Sequence, residues 1–111
     1  MDKTAVSLDK TTVFKIIRDM HKALGKHGIK DNHIALFGSF LNNNFHENSD
    51  IDIIIISNSF EGKDLFERIN MTLKAESDVR DQYIVPMDIL LKTPQEYAHS
   101  KKTYFNSEIV V

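Results

Sequence analysis

Apolar residues recur at helical spacing early in the chain, with Val13, Ile17, Met20 and Leu24 on one stripe and Phe14 and Ile16 beside it. The spacing predicts an amphipathic helix over roughly residues 9–24, with Gly25 standing where a C-terminal cap belongs. After Gly28 and a polar link, Ile34-Ala35-Leu36-Phe37 is a short apolar run bounded by His33 and Gly38, the pattern of a buried strand. Residues 41–48 are rich in Asn, which tolerates left-handed backbone and favours a loop or short helical turns. Ser49-Asp50-Ile51-Asp52 then alternates polar and apolar before running into Ile53-Ile54-Ile55-Ile56, which predicts a strand whose first residues emerge from the core and whose later ones stay inside.

Ser57, Asn58 and Ser59 each offer a cap for the next helix, expected over about residues 63–76. Leu65, Ile69 and Leu73 mark its expected inner face and Phe66 widens that stripe, with the charged residues 77–81 following its end. A third strand is expected from Tyr83 to Leu91, where Pro86 argues for an edge position or an irregularity. Thr93-Pro94-Gln95-Glu96 satisfies three helix-start rules together: Thr at the cap, Pro at the first helical position, and Glu completing a capping box. This order of elements predicts an α+β fold, a small mixed sheet with helices packed on it, in one domain spanning 1–111. The apolar end Ile109-Val110-Val111 reads equally as an added strand, a helix or a tail, and it hints at an interface and at homo- or hetero-oligomerisation.

Composition removes several function classes. A net charge of −2, with Lys and Arg scattered in ones and twos, gives no basic stripe to follow a phosphate backbone, so no direct nucleic-acid binding is expected. Without cysteine there are neither disulfides nor thiolate zinc sites, and the five scattered histidines show no metal-ligand spacing. No apolar run reaches transmembrane length and Met1-Asp2-Lys3-Thr4 is no signal peptide, so a cytoplasmic protein without a membrane partner is expected.

The candidate chemistry lies in carboxylates. Strand alternation puts Asp50 and Asp52 on one face about 6.5–7 Å apart, where two negative charges repel by roughly 2.5 kcal/mol at an effective dielectric near 20. Aspartate is depleted in strands, so such a pair is a poor structural choice unless a divalent cation turns the repulsion into attraction. Asp88 is the only charged residue from Ile84 to Leu91. If its strand lies beside that of Asp50 and Asp52, the three carboxylates form a cluster suited to hard cations such as Mg2+. Gly38-Ser39, at the end of a strand, can offer backbone N–H groups and a hydroxyl to an anion, although a lone Gly-Ser is more often a tight turn.

Gly38-Ser39, then ten residues, then Asp50-Ile51-Asp52 entering an apolar strand, with Asp88 on a later strand, resembles the DNA polymerase β-like nucleotidyltransferase superfamily and its smallest members, the minimal nucleotidyltransferases. The resemblance implies transfer of a nucleoside monophosphate, AMP from ATP first among the nucleoside triphosphates, to an acceptor hydroxyl with release of pyrophosphate. It implies Mg2+ at Asp50, Asp52 and Asp88, and phosphates at Gly38 and Ser39. It also implies a small helical partner of the HEPN type, in a toxin–antitoxin pair whose antitoxin is the nucleotidyltransferase and can adenylylate its partner. The family commonly follows Gly-Ser with a basic residue and a glycine, where this chain has Phe40-Leu41-Asn42-Asn43. That departure favours the alternative of a weak or inactive module neutralising its partner by contact, with Lys63 and Lys92 as candidate replacement cations. Transfer to a small molecule such as an aminoglycoside would need a second domain for the acceptor.

Overall fold

The computed structural model describes residues 9–38, 50–100 and 107–111, together with the backbone of Thr4–Ala5. In chain order its elements are β1 (Thr4–Ala5), α1 (Lys10–Lys26), β2 (His33–Phe37), β3 (Ile51–Ile56), a 3-10 turn (Asn58–Phe60), α2 (Leu65–Gln82), β4 (Tyr83–Ile84), β5 (Met87–Lys92), α3 (Pro94–Ser100) and β6 (Glu108–Ile109). Ser39 and residues 41–48 lie outside the described residues.

Four strands form a mixed sheet in the order β5-β3-β2-β6. The β2 strand runs antiparallel to β3, β6 lies antiparallel to β2, and β5 runs parallel to β3 with α2 as the crossover between them. Ile51, Ile53 and Ile55 face α1 and α2, joining Val13, Ile16, Ile17, Met20 and Leu24 of α1 and Ala75 and Val79 of α2 in the main core. Ile54 and Ile56 face the other way, against Ala35 of β2 and Tyr97 of α3. Both faces of β3 are therefore covered along its later half, which is why that half can be unbroken isoleucine. Toward its start the second face carries Asp52 instead, and no helix among the described residues covers it.

Helix ends follow local chemistry. Asp9 caps α1 by accepting from the Thr12 N–H at 2.8 Å. The helix runs through Gly25, and the left-handed residue after its cap is Gly28, with φ +97°. Ser57 caps the 3-10 turn, while α2 is capped by Asp64, whose carboxylate accepts from the Glu67 N–H as the Glu67 side chain accepts from the Asp64 N–H. At α3 the expected capping box is present: Thr93 N–H to Glu96 at 2.8 Å and Glu96 N–H to Thr93 Oγ1 at 3.1 Å.

The structure corrects the reading of α2 twice. The helix continues to Gln82, because Val79 is buried while Ser77, Arg80 and Asp81 are exposed and Asp78 is held by His27 at the end of α1 at 2.7 Å. Its inner face is Thr72, Ala75 and Val79, small or slim residues that let the helix approach α1. The bulky row expected inside is exposed, with Leu65 at 62%, Phe66 at 76%, Ile69 at 40% and Leu73 at 50%.

Pro86 breaks the third strand into β4, which pairs with β1, and β5, which is an edge strand of the main sheet. Its carbonyl still accepts from the Ile51 N–H at 2.9 Å, so the break also seats the start of β3. The C-terminal residues form an added strand at the opposite edge: Val110 N–H donates to the Ile34 carbonyl at 2.8 Å and Ile34 N–H to that of Val111 at 3.2 Å.

Candidate active site

The start of β3, the start of β5 and the end of β2 meet at one end of the sheet. Asp52 is the register partner of Asp88 across the parallel β3–β5 pair, and of Phe37 across the antiparallel β2–β3 pair. Register partners in a sheet project from the same face, so the carboxylates of Asp52 and Asp88 stand on neighbouring strands about 4.8 Å apart at the backbone. Asp50 is exposed just before β3 and shares that face by alternation. The face is the one that α3 covers further along, where Leu90 follows Asp88 and Ile54 follows Asp52.

Gly38 completes the arrangement. It has φ +76°, and a Cβ placed there would stand 2.1 Å from Oδ2 of Asp52 and 3.0 Å from its Cγ. The Asp52 carboxylate thus occupies the space that any other residue at position 38 would fill. Sequence reading assigned Gly38 to a turn or to phosphate contact and missed this role, for which the signal was available: a strand ending in glycine, antiparallel to one opening in aspartate, brings the two together when they pair.

Asp52 carries the electrostatic signature of the site. Its carboxyl is raised above the ordinary aspartate value first by partial burial, then by the charges of Asp88 and Asp50. The charges of Asp88 and Asp50 therefore reach Asp52 at this end of the sheet. As they stand, no three His, Asp or Glu side chains among the described residues are gathered tightly enough to hold a metal ion. Mutual repulsion gives the physical reason, since like carboxylates separate as far as their backbones allow until a cation draws them in. The donor set is all carboxylate oxygen on a partly desolvated floor, which fits a hard divalent cation and not a soft one.

Neither lysine considered as a replacement cation lies at this end. Lys92 is paired with Ile56 at the far end of β5, four residues from Asp88, or about 13 Å of extended chain. Lys63 follows the 3-10 turn that leaves that same far end, with its N–H on the Phe60 carbonyl. There Arg68 makes a forked ion pair with Glu96, at 2.6 and 3.3 Å, and donates to the carbonyls of Lys63 and Leu91. Arg68 thus ties α2 to α3 and β5, and the Glu96 carboxyl falls to about 2 chiefly through its bond to Arg68.

The family model for the nucleotidyltransferase domain matches residues 13–110. The chain belongs to this family. Known structures agree in fold with the nucleotidyltransferase domain seen here. A crystal structure from Sulfolobus solfataricus, described as a nucleotidyltransferase, aligns with TM-score 0.59 at 13% identity, over 89% of this chain and 82% of its own. A second structure so described gives 0.57 at 22% identity, over 84% and 95%. A chain of a toxin–antitoxin crystal structure with AMP-PNP gives 0.55 at 22% identity, over 86% and 72%. No curated protein sequence matches the chain.

Proposed function

We propose that this nucleotidyltransferase domain transfers AMP from ATP to an acceptor hydroxyl, releasing pyrophosphate, with a partner protein of a toxin–antitoxin pair as the acceptor. The observation that carries the reading is the registered pair Asp52 and Asp88, with Asp52 seated against Gly38 and its carboxyl raised by partial burial and then by its acidic neighbours. In this reading Asp50 and Asp52 would hold Mg2+ together with the triphosphate, and Asp88 would share in holding the ion or take the proton of the attacking hydroxyl. The backbone at Gly38, with Ser39, receives the phosphates. A bound divalent cation would supply neutralisation of phosphate charge, the larger part of what phosphoryl-type transfer requires. The toxin–antitoxin structure with AMP-PNP supports a nucleotide and a partner protein here, and a helical partner of the HEPN type fits the same reading. Incubating the co-expressed complex with ATP and Mg2+ tests it: one adenylate should appear on the partner, and Asp52→Asn should abolish it. Equal labelling by wild type and Asp52→Asn would refute the assignment.

A second reading, neutralisation by contact alone, draws on the exposed row Leu65, Phe66, Ile69 and Leu73. Thermal melting with Mg-ATP separates the two, because a contact module forms the complex yet shows no nucleotide-dependent shift.

A further inference from the structure

A groove of about 330 Å3 runs between α1 and the edge strand β6, and none of Asp50, Asp52 and Asp88 lines it. One wall is a single stripe of α1, with Phe14 between Lys10 and Arg18 at positions i, i+4 and i+8. The other is β6 with the residue after it, and Leu36 forms part of the floor. Lys10 and Arg18 are exposed and neither takes part in an ion pair among the described residues. Phe14 is half-buried, its ring packed against the main core.

β6 is an edge. Val110 N–H points inward to Ile34, so by strand alternation the N–H and C=O of Ile109 point away from β2, and its side chain is 52% exposed. Among the described residues nothing pairs with this edge, and such an edge is a template for one more strand. The helix wall fixes what that strand should carry. Lys10 and Arg18 are eight helical residues apart, about 12 Å along the axis. Two residues on one face of an extended chain, four positions apart, are separated by about 13 Å. For a strand laid along the α1 axis the spacing matches, with the residue midway between them falling opposite Phe14.

We propose that this groove binds an extended acidic segment of a partner protein as an added strand on β6, with carboxylates four residues apart on Lys10 and Arg18 and an apolar side chain between them on Phe14. Glu108 lines the same groove and adds selectivity, because it repels a segment that places a third acid beside it. This docking does not rest on nucleotide chemistry.

Fluorescence anisotropy on the full chain tests it, using a labelled ten-residue peptide with two Glu four positions apart and Phe midway. Controls are a Lys-for-Glu peptide and one with the Glu residues three apart. Binding of the first should exceed both controls at least tenfold and weaken with salt. Lys10→Gln and Arg18→Gln should each weaken it by fivefold or more, and Ile109→Pro, which removes the outward N–H, should do the same with an unchanged melting temperature. If Ile109→Pro does not fold, the two Gln variants decide. Equal binding of all three peptides, unchanged affinity in both Gln variants, or displacement of the peptide by a single-stranded oligonucleotide at equal or lower concentration would each overturn the proposal.

Discussion

Replacing Gly38 by Ala should disturb the protein in two separable ways, and a double-mutant cycle with Asp52 can divide them. The backbone at position 38 has φ +76°, a region that costs an L-residue about 1–2 kcal/mol. The new methyl would also stand 2.1 Å from Oδ2 of Asp52, far inside contact distance, so the carboxylate must turn out of its rotamer at about 0.5–1.5 kcal/mol. Gly38→Ala should therefore cost about 2–3 kcal/mol in the wild type. In an Asp52→Ala background Oδ2 and Cγ are gone and only the Cβ contact at 3.2 Å remains, so the cost should fall to the backbone part. Urea denaturation of the four proteins, with m-values checked for constancy, should give a coupling of about 1 kcal/mol. Costs that add to within about 0.4 kcal/mol would show that Asp52 does not lie against Gly38 and would remove the geometric basis of the site.

Other expectations follow from the same coordinates. The Asp52 carboxyl titrates above its unfolded value, so its ionisation lowers stability as the pH rises from 3.8 through the raised value; Asp52→Asn should be more stable than wild type at pH 7, with the difference vanishing below 3.8. Guanidinium denaturation at the two pH values measures it, and a less stable variant at pH 7 would refute the sign. Glu96 behaves oppositely: its carboxyl is lowered from 4.5 to about 2, so its contribution is complete above 4.5 and lost as the pH falls toward 2, and Glu96→Gln should flatten that acid limb. Val79→Ala should cost about 2–3 kcal/mol in thermal or urea unfolding whereas Leu73→Ala should cost under about 0.5 kcal/mol, the reverse of what the apolar row of α2 suggests. In an absorbance titration one of the three tyrosines should ionise near 12, because burial and the hydrogen bond to Asp19 push the Tyr83 phenol up, and Tyr83→Phe should remove that step.

What could be read in advance depended on whether the signal was local. The capping box at Thr93, the isoleucine strand and the start of the first helix are set by neighbours within a few residues, and each formed where its pattern put it. The side-by-side placement of Asp52 and Asp88 was legible as a conditional, since alternation fixes the face of each strand but nothing local fixes which strands pair. The α2 face was misread because hydrophobicity was taken as a proxy for burial. Thr72 and Ala75 won the inner position since a close helix–helix approach rewards small side chains, and the Thr72 hydroxyl finds its partners within α2, at Ile69 and Glu76. Gly25 alone marked a stop for α1 in the sequence, yet the helix runs through it to Lys26 and the left-handed residue is Gly28.

Asp88 lies on an edge strand in the run Met87-Asp88-Ile89-Leu90-Leu91, and it is the only charge interrupting that apolar sequence. Among the described residues nothing pairs with that edge, and a negative charge on it discourages another molecule from adding itself there, as does Pro86 just before it. The same side chain therefore guards solubility as well as standing at the acidic end of the sheet. Substituting it by Val or Ile would leave a flat, greasy ribbon open to stacking into fibrils, so loss of soluble protein would masquerade as loss of chemistry, and Asn or Ser are the replacements that keep the two apart.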